Sequence, residues 1–307
     1  MQNADVAALW DNRELNAGFI VVRPSSLGQQ LYRTIRNITS SRKVDDQKAL
    51  NKAVKMMKGR RKRDEGVLQV NVLDRNQFFS GARYFEKSGR MFAKLLDGCK
   101  ALNTSKCPLV VHNNWIVGKQ AKIYRFREHL MWLYDGNDQY YSSETRKYLM
   151  YTNLKPTTPK NVTEHELAAL RTAFTIGHLL NRVVILPRFH CENGECPLNS
   201  IVHIKTFDAH FSGRYRESSF LQHPKVPDSV KQGVEDGHYI LNVNQALEIH
   251  ASRAEIMRLF GEISAKVLNL SNLQRVKVDL DDTSIIDREF ISKLQRAFRR
   301  ARYRQFR

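Results

Sequence analysis

The residues best suited to chemistry lie in the segment HNNWIVGK, from His112 to Lys119. His112 follows the apolar run PLVV, a pattern that predicts a short buried strand ending at the histidine. Ligands of α/β proteins bind at the carboxyl ends of such strands. His112, Gly118 and Lys119 supply what a metal–diphosphate complex needs: an imidazole, close backbone approach and a cation. The alternative is a hydrogen-bonded structural histidine.

A second candidate group consists of Asp45, Asp46 and Gln47, which open a predicted helix over residues 44–57. Two carboxylates beside an amide can bind the hydroxyl groups of a sugar. The same carboxylates can instead cap the helix and stabilise the positive end of its dipole. The spacing leaves both interpretations open.

The elements around these groups alternate between helical and strand patterns, which predicts an α/β protein. The apolar run at 17–23 predicts a buried strand. Further helices are predicted over 243–260 and 284–306. A polar stretch from 135 to about 161, rich in proline and threonine, predicts a linker. We therefore predict two domains, residues 1–157 and residues 158–307.

The charge of the chain is unusual, because 50 Lys and Arg against 31 Asp and Glu give a net charge of +19 over 307 residues. Such a surface attracts nucleic acid, anionic glycans, nucleotide phosphates or acidic membranes. The run KGRRKR and the terminal RRARYRQFR are typical of polyanion-binding segments, or of solvated surface. The composition is globular and contains no membrane-spanning apolar run, which argues against fibrous and integral membrane classes.

The four cysteines form two closely spaced pairs, Cys99 with Cys107 and Cys191 with Cys196. Each pair can close a local disulfide in an oxidising compartment or remain as two thiols. An Asn-Gly turn between Cys191 and Cys196 favours closure there. Zinc is disfavoured because no second ligand pair accompanies them. Four sequons suit a secreted or luminal chain: Asn37, Asn103, Asn161 and Asn269.

Four ordered segments of the first half together resemble the nucleotide-diphospho-sugar transferase family. They are LNAGFIVVRPSS at 15–26, DDQKALNKAV at 45–54, VNVLDRNQFFSG at 70–81 and VVHNNWIVGKQAKIYRFREHLMW at 110–132. Two later segments resemble plant extensin arabinosyltransferase-like proteins, and the chain is nearest that branch. They are LNRVVILPRFHC at 180–191 and YRESSFLQHPKVP at 215–227.

The resemblance implies a GT-A-like fold, a nucleotide-sugar donor such as a UDP-sugar, a divalent cation, usually manganese, and a Golgi enzyme with an N-terminal anchor. It places His112 in the metal shell, with Gly118 and Lys119 against the diphosphate. It places the expected catalytic residues Asp46 and Gln47 at the donor sugar. The resemblance and the carboxylate pair together give a substrate-binding set that also includes Asn16, Gly18 and Asp45.

One departure from the family bears on activity. The DxD that supplies the family's main metal ligands precedes the N-x-G-F strand, where this sequence has fifteen residues and no DxD. A later VDLDD at 278–282 follows a strand-like run, and we do not interpret it as a metal site because it comes too late in the chain. We expect the chain, as given, to bind its donor poorly.

These observations predict a partial GT-A-like (Rossmann-like) nucleotide-sugar transferase domain followed by a second α/β domain. The expected function is transfer of a pentose or hexose to a glycan or glycoprotein acceptor. On this interpretation nucleic acid is not a partner, and a membrane is contacted only through an N-terminal anchor. One alternative is a non-enzymatic protein that binds nucleic acid or an acidic glycan. Another is an inactive, transferase-like scaffold.

Overall fold

The computed structural model describes residues 4–11, 13–42, 44–59, 66–86, 108–152, 162–191, 194–236, 249–271, 273–281 and 283–298. The chain divides into two compact units, Met1–Val117 and Gly118–Arg307. Both mix helices with parallel strand pairs, so the predicted α/β class is confirmed. Within the described ranges, no helix is long and apolar enough to cross a membrane.

The first unit is built on a three-stranded sheet of β1 (Val6–Asp11), β2 (Glu14–Val22) and β3 (Val70–Val72), in the order β2-β1-β3. The central strand β1 pairs antiparallel with β2 and parallel with β3. The predicted strand at 17–23 is part of β2, but most of its residues are only half-buried because β2 lies at the edge of the sheet. The almost completely buried strand is β1.

Two helices, α1 (Ser26–Arg42) and α2 (Asp46–Gly59), pack on each other and on this sheet. Their apolar side chains, among them Leu31, Leu50 and Val54, form one core with Val6 and Ala8 of β1. A separate parallel pair consists of β4 (Phe78–Ser80) and β5 (Val110–His112). The predicted strand ending at His112 is therefore confirmed, although its residues are half-buried.

The second unit contains a five-stranded, fully parallel sheet in the order β10-β7-β6-β13-β11. The strands of this unit are β6 (Tyr148–Thr152), β7 (Val183–Ile185), β8 (Phe189–Cys191), β9 (Gly194–Cys196), β10 (Tyr215–Arg216), β11 (Val234–Asp236), β12 (Ile249–Ser252), β13 (Val267–Ser271) and β14 (Val276–Asp279). Its helices are α3 (Lys119–Glu128), α4 (Val162–Leu179), α5 (Ile204–Phe211), α6 (Asp228–Lys231), α7 (Arg253–Phe260) and α8 (Ile285–Ala297).

Several boundaries differ from the sequence predictions. The division between the two compact units falls after Val117 in the chain, and β6, which lies within the predicted linker, pairs with β7 and β13 of the second unit. The domain boundary predicted near residue 157 lies outside the described residues and stays a prediction. Within the predicted helix at 243–260, strand β12 occupies 249–252 and only 253–260 are helical. The last helix ends at Ala297.

The hairpin of β8 and β9 is closed by a disulfide between Cys191 and Cys196, whose Cα atoms lie 5.7 Å apart. This outcome confirms the first of the two alternatives for this pair. Cys99 and Cys107 lie outside the described residues.

Candidate functional site

Four of the predicted site residues come together in the first unit, although up to 96 positions separate them in the chain (112 minus 16). The Nδ2 of Asn16 donates to the Oε1 of Gln47 at 3.3 Å. The Oδ1 of Asn16 accepts from the backbone N–H of Gly18 at 2.8 Å. A Cβ placed on Gly18 would lie 2.5 Å from both Cε1 and Nε2 of His112. The imidazole therefore lies directly against the glycine backbone.

Backbone-directed hydrogen bonds hold the start of α2 against β2. The Oδ1 of Asn51 accepts from the N–H of Leu15 at 3.0 Å, and its Nδ2 donates to the carbonyl of Leu15 at 2.8 Å. The Nε2 of Gln47 donates to Glu14 Oε1 at 2.7 Å. These contacts fix Gln47 beside Asn16, because both strand and helix are tied at neighbouring positions.

A buried carboxylate that the sequence analysis missed organises this cluster. Asp11, at the end of β1, is 4% exposed. Its Oδ2 accepts from Nδ2 of Asn16 at 3.1 Å and from Nδ2 of Asn114. Its Oδ1 accepts from Nε1 of Trp115 at 2.8 Å. The signal in the sequence is the one that singled out His112, a polar residue ending an apolar run, here VAALWD.

The segment after β5 turns sharply beyond His112. The N–H of Asn114 donates to the carbonyl of His112 at 2.8 Å, and Oδ1 of Asn114 accepts from the N–H of Gly81 at 2.6 Å. Trp115 has a φ of 58°, which is uncommon for a residue other than glycine. Because Asn114 and Trp115 both donate to Asp11, this turn is fixed to the end of β1. The turn thereby positions the adjacent His112 ring.

The two predicted carboxylates at the start of α2 are exposed and make local contacts. Asp45 accepts from the backbone N–H of Lys48 at 2.8 Å and from its ammonium at 3.1 Å. The backbone hydrogen bond, followed by the side-chain one, lowers the pKa of Asp45. Asp46 accepts from the N–H of Gln47 at 2.8 Å. Asp45 therefore caps the helix, which was the alternative to sugar binding, and the predicted sugar contacts of Asp45 and Asp46 stay predictions.

Gly118 and Lys119 belong to the second unit. Gly118 precedes α3 with a φ of 97°, and a Cβ added to it would meet nothing within 4 Å. Its conformation, rather than crowding, therefore favours glycine. Lys119 is exposed. The predicted diphosphate contacts of both residues stay predictions.

The described residues do not by themselves form a metal centre. Among them, no group of three or more His, Cys, Asp or Glu side chains is arranged to hold a metal ion. His112 contributes one imidazole to this cluster, and both oxygens of Asp11 accept hydrogen bonds. Asp279 and Asp281 of the VDLDD segment are both exposed, and Asp281 accepts from the backbone N–H of Thr283 at 2.9 Å.

The geometry just described falls within a match to a known family. Residues 3–126 match the family model described as nucleotide-diphospho-sugar transferase. This part of the chain is therefore similar to that family, and its mixed sheets and helices are consistent with a GT-A-like fold. The matched range contains every predicted site residue, from Asn16 to Lys119.

One curated relative extends the similarity beyond the first unit. The chain is 24% identical over 268 residues to a protein of Arabidopsis thaliana described as arabinosyltransferase XEG113. The alignment covers 71% of this chain and 39% of the relative, so the chain spans about two fifths of the relative's length. No solved structure matches the chain. The similarity therefore lies near the extensin arabinosyltransferase branch.

Proposed function

We propose that this chain forms part of a glycosyltransferase that moves a pentose or hexose from a nucleotide-diphosphate donor to a protein or polysaccharide acceptor. The observation that carries the proposal is the contact between Gly18 and the His112 ring, joined through Asn16 to Gln47 inside the family-matched range. A half-buried imidazole beside a glycine backbone and two side-chain amides offers a polar ligand directional hydrogen bonds.

Each group has a part in this proposal. Asn16 and Gln47 orient the donor sugar, with Asp46 beside them, and Gly18 lets the His112 ring lie against the strand backbone at the edge of the donor cleft. The His112 imidazole serves as a ligand to a divalent cation, proposed to be manganese, with the remaining ligands coming from the diphosphate and from outside the described residues. When bound, such a cation stabilises negative charge on the departing diphosphate.

The finer assignments of donor and location belong to the same proposal. The name of the Arabidopsis relative supports an arabinose donor, and the family supports a UDP-sugar more generally. A Golgi location is supported by the resemblance to secretory-pathway transferases and by the Cys191–Cys196 disulfide, which suits an oxidising compartment.

A thermal-shift titration with UDP, with and without manganese, tests the proposal. We expect a manganese-dependent rise in the melting temperature of the wild type, because a ligand that binds only the folded state stabilises it. His112→Ala and Gly18→Ala should abolish the rise, since the first removes the imidazole and the second pushes it aside. Gly59→Ala is the matched control, because a Cβ there meets nothing within 4 Å.

The outcomes separate clearly. A rise that persists in His112→Ala and Gly18→Ala would place nucleotide binding elsewhere and reject this site. No rise in a folded wild type would reject nucleotide binding by this chain, and would favour a transferase-like scaffold or a polyanion-binding protein. The melting temperature of the Gly59→Ala control must rise with UDP and manganese as much as that of the wild type, so that a loss in His112→Ala or Gly18→Ala can be assigned to the site.

A further inference from the structure

A row of lysines begins immediately after the candidate site and follows one side of α2. Lys48, Lys52 and Lys55 are spaced by four and three residues, so they lie on the same side of the helix. Lys58 adds a fourth positive charge one turn further on. The opposite side of α2 is the buried one, and it consists of Ala49, Leu50, Ala53, Val54 and Met57.

The positive charge on this surface is weakly balanced. The one acidic residue of α2 is Asp46 in its first turn, and Asp45, which precedes the helix, pairs with Lys48 at 3.1 Å. Helix α1, which packs beside α2, has no acidic residue over Ser26–Arg42 and exposes Arg33 and Arg36. We call the four lysines of α2, Lys48, Lys52, Lys55 and Lys58, the basic track.

The position of the basic track connects it with the candidate site. Lys48 directly follows Gln47, whose amide accepts from Asn16 and donates to Glu14. From Lys48 to Lys58 the helix rises about 15 Å, at about 1.5 Å per residue. An extended polyanion that lies along α2 would therefore have one end beside Asn16 and Gln47.

The chemistry of the track favours an acidic glycan over the other polyanions. Single-stranded nucleic acids are bound by basic grooves that also carry aromatic side chains for stacking, and α2 has no aromatic residue. Helices that lie on membranes insert an apolar face, whereas the apolar face of α2 is buried in the core of its own unit. Lysines act as flexible point charges, which suits carboxylate groups spaced along a polysaccharide.

We propose that the acceptor of this chain is an acidic polysaccharide that binds along the basic track of α2 and presents its end to the Asn16–Gln47 cluster. The acceptor role rests on the proposed transferase function. The glycan-binding surface does not, because its binding can be measured without any donor.

The test measures binding of the full chain to an oligogalacturonate, to single-stranded RNA and to vesicles that contain phosphatidylserine, at low and at physiological salt. The test variant carries Lys48→Gln, Lys52→Gln and Lys55→Gln. The matched control carries the exposed changes Lys205→Gln, Lys277→Gln and Lys293→Gln in the second unit. Both lose three positive charges, so net charge alone cannot separate them.

We expect the wild type to bind the oligogalacturonate more tightly than RNA or vesicles. The α2 variant should bind it roughly tenfold more weakly at low salt and with a shallower salt dependence, because fewer counterions are released. The control variant should stay within about twofold of the wild type. An unchanged unfolding midpoint in both variants shows that the fold is retained.

Equal loss in the two triple variants would overturn the proposal, because binding would then follow net charge. Preferential, α2-dependent binding of RNA or of vesicles would also overturn it and assign the track to that partner. If the glycan binds through α2 but UDP gives no thermal shift, the glycan surface stands and the proposed transferase function fails.

Discussion

Each of the two units contains a polar cluster around one carboxylate, and the two clusters differ in their exposure to solvent. In the first unit, Asp11 accepts from Asn16, Asn114 and Trp115. In the second unit, the hydroxyl of Tyr140 donates to Oε2 of Glu217 at 2.8 Å. The guanidinium groups of two arginines lie over the Tyr140 ring, at 3.6 Å for Arg127 and 3.9 Å for Arg216.

The outermost members of the first cluster reach solvent. Gln47 and His112 are half-buried, and Trp115 is 51% exposed. In the second cluster Arg216 and Glu217 are 1% and 0% exposed. A ligand can therefore reach the first cluster from solvent, whereas the second cluster is enclosed and stabilises the fold of its unit. The segment YRESSF, which the family resemblance singled out, supplies this structural core.

The largest effect on stability is expected from a mutation that disrupts the enclosed cluster. Arg216 donates to the carbonyls of Tyr140, Gly213 and Tyr215. We expect Arg216→Ala to lower the free energy of unfolding by about 3–5 kcal/mol, because it leaves Glu217 buried without this cation. Chemical denaturation measures the change, and the exposed Arg258→Ala on α7 is the control. A loss equal to the control would mean that the cluster is not structural.

The next effect concerns the pH dependence of the second unit. Burial, with a smaller contribution from the charge of Glu217, raises the pKa of Glu128 to about 7, although Tyr124 donates to it. The folded state therefore holds this proton more tightly than the unfolded state does, and stability falls as pH rises from about 4.5 to about 7.

Glu128→Gln should remove this part of the pH dependence. We expect the variant to gain at most about 3 kcal/mol on the wild type at pH 8, and to match it near pH 4. Denaturation curves across this pH range measure the difference. A constant difference between the two proteins at every pH would contradict the assignment, because it would show an effect unrelated to ionisation.

A smaller effect probes the accessible cluster. Asp11→Ala removes the acceptor for Asn16, Asn114 and Trp115, and we expect a loss of about 2 kcal/mol in unfolding free energy together with loss of the UDP-dependent thermal shift. Asp11→Asn keeps one acceptor oxygen and should be intermediate in both measurements. If Asp11→Ala binds UDP as the wild type does, Asp11 does not position the His112 turn.

The smallest effect separates capping from ligand binding at the start of α2. Asp45→Ala should lower the melting temperature slightly, because the N–H of Lys48 loses its acceptor, and should leave the UDP shift intact. The UDP shift of Asp45→Ala is compared with that of Asp46→Ala, because Asp46 is next to Gln47, which contacts Asn16. If Asp45→Ala loses the UDP-dependent thermal shift, Asp45 takes part in ligand binding and is not only a helix cap.

Local sequence patterns sufficed for several parts of the site. The strand that ends at His112 and the helix that begins near Asp46 depend on apolar periodicity over a few neighbouring residues, which is visible in the chain itself. The closure of Cys191 with Cys196 also depends on a short turn. The family resemblance placed Asn16, Gly18, Gln47 and His112 in one expected donor cleft; the structure brings these residues together, and their roles there stay predictions.

The sequence by itself determined which short segments form strands, helices and a turn, because those choices depend on neighbours within a few positions. Only the tertiary structure decided that Asp11 organises the cluster, since its bonds to Asn114 and Trp115 cross 103 and 104 positions. Contacts over such separations follow from strand pairing and helix packing, which no local pattern specifies.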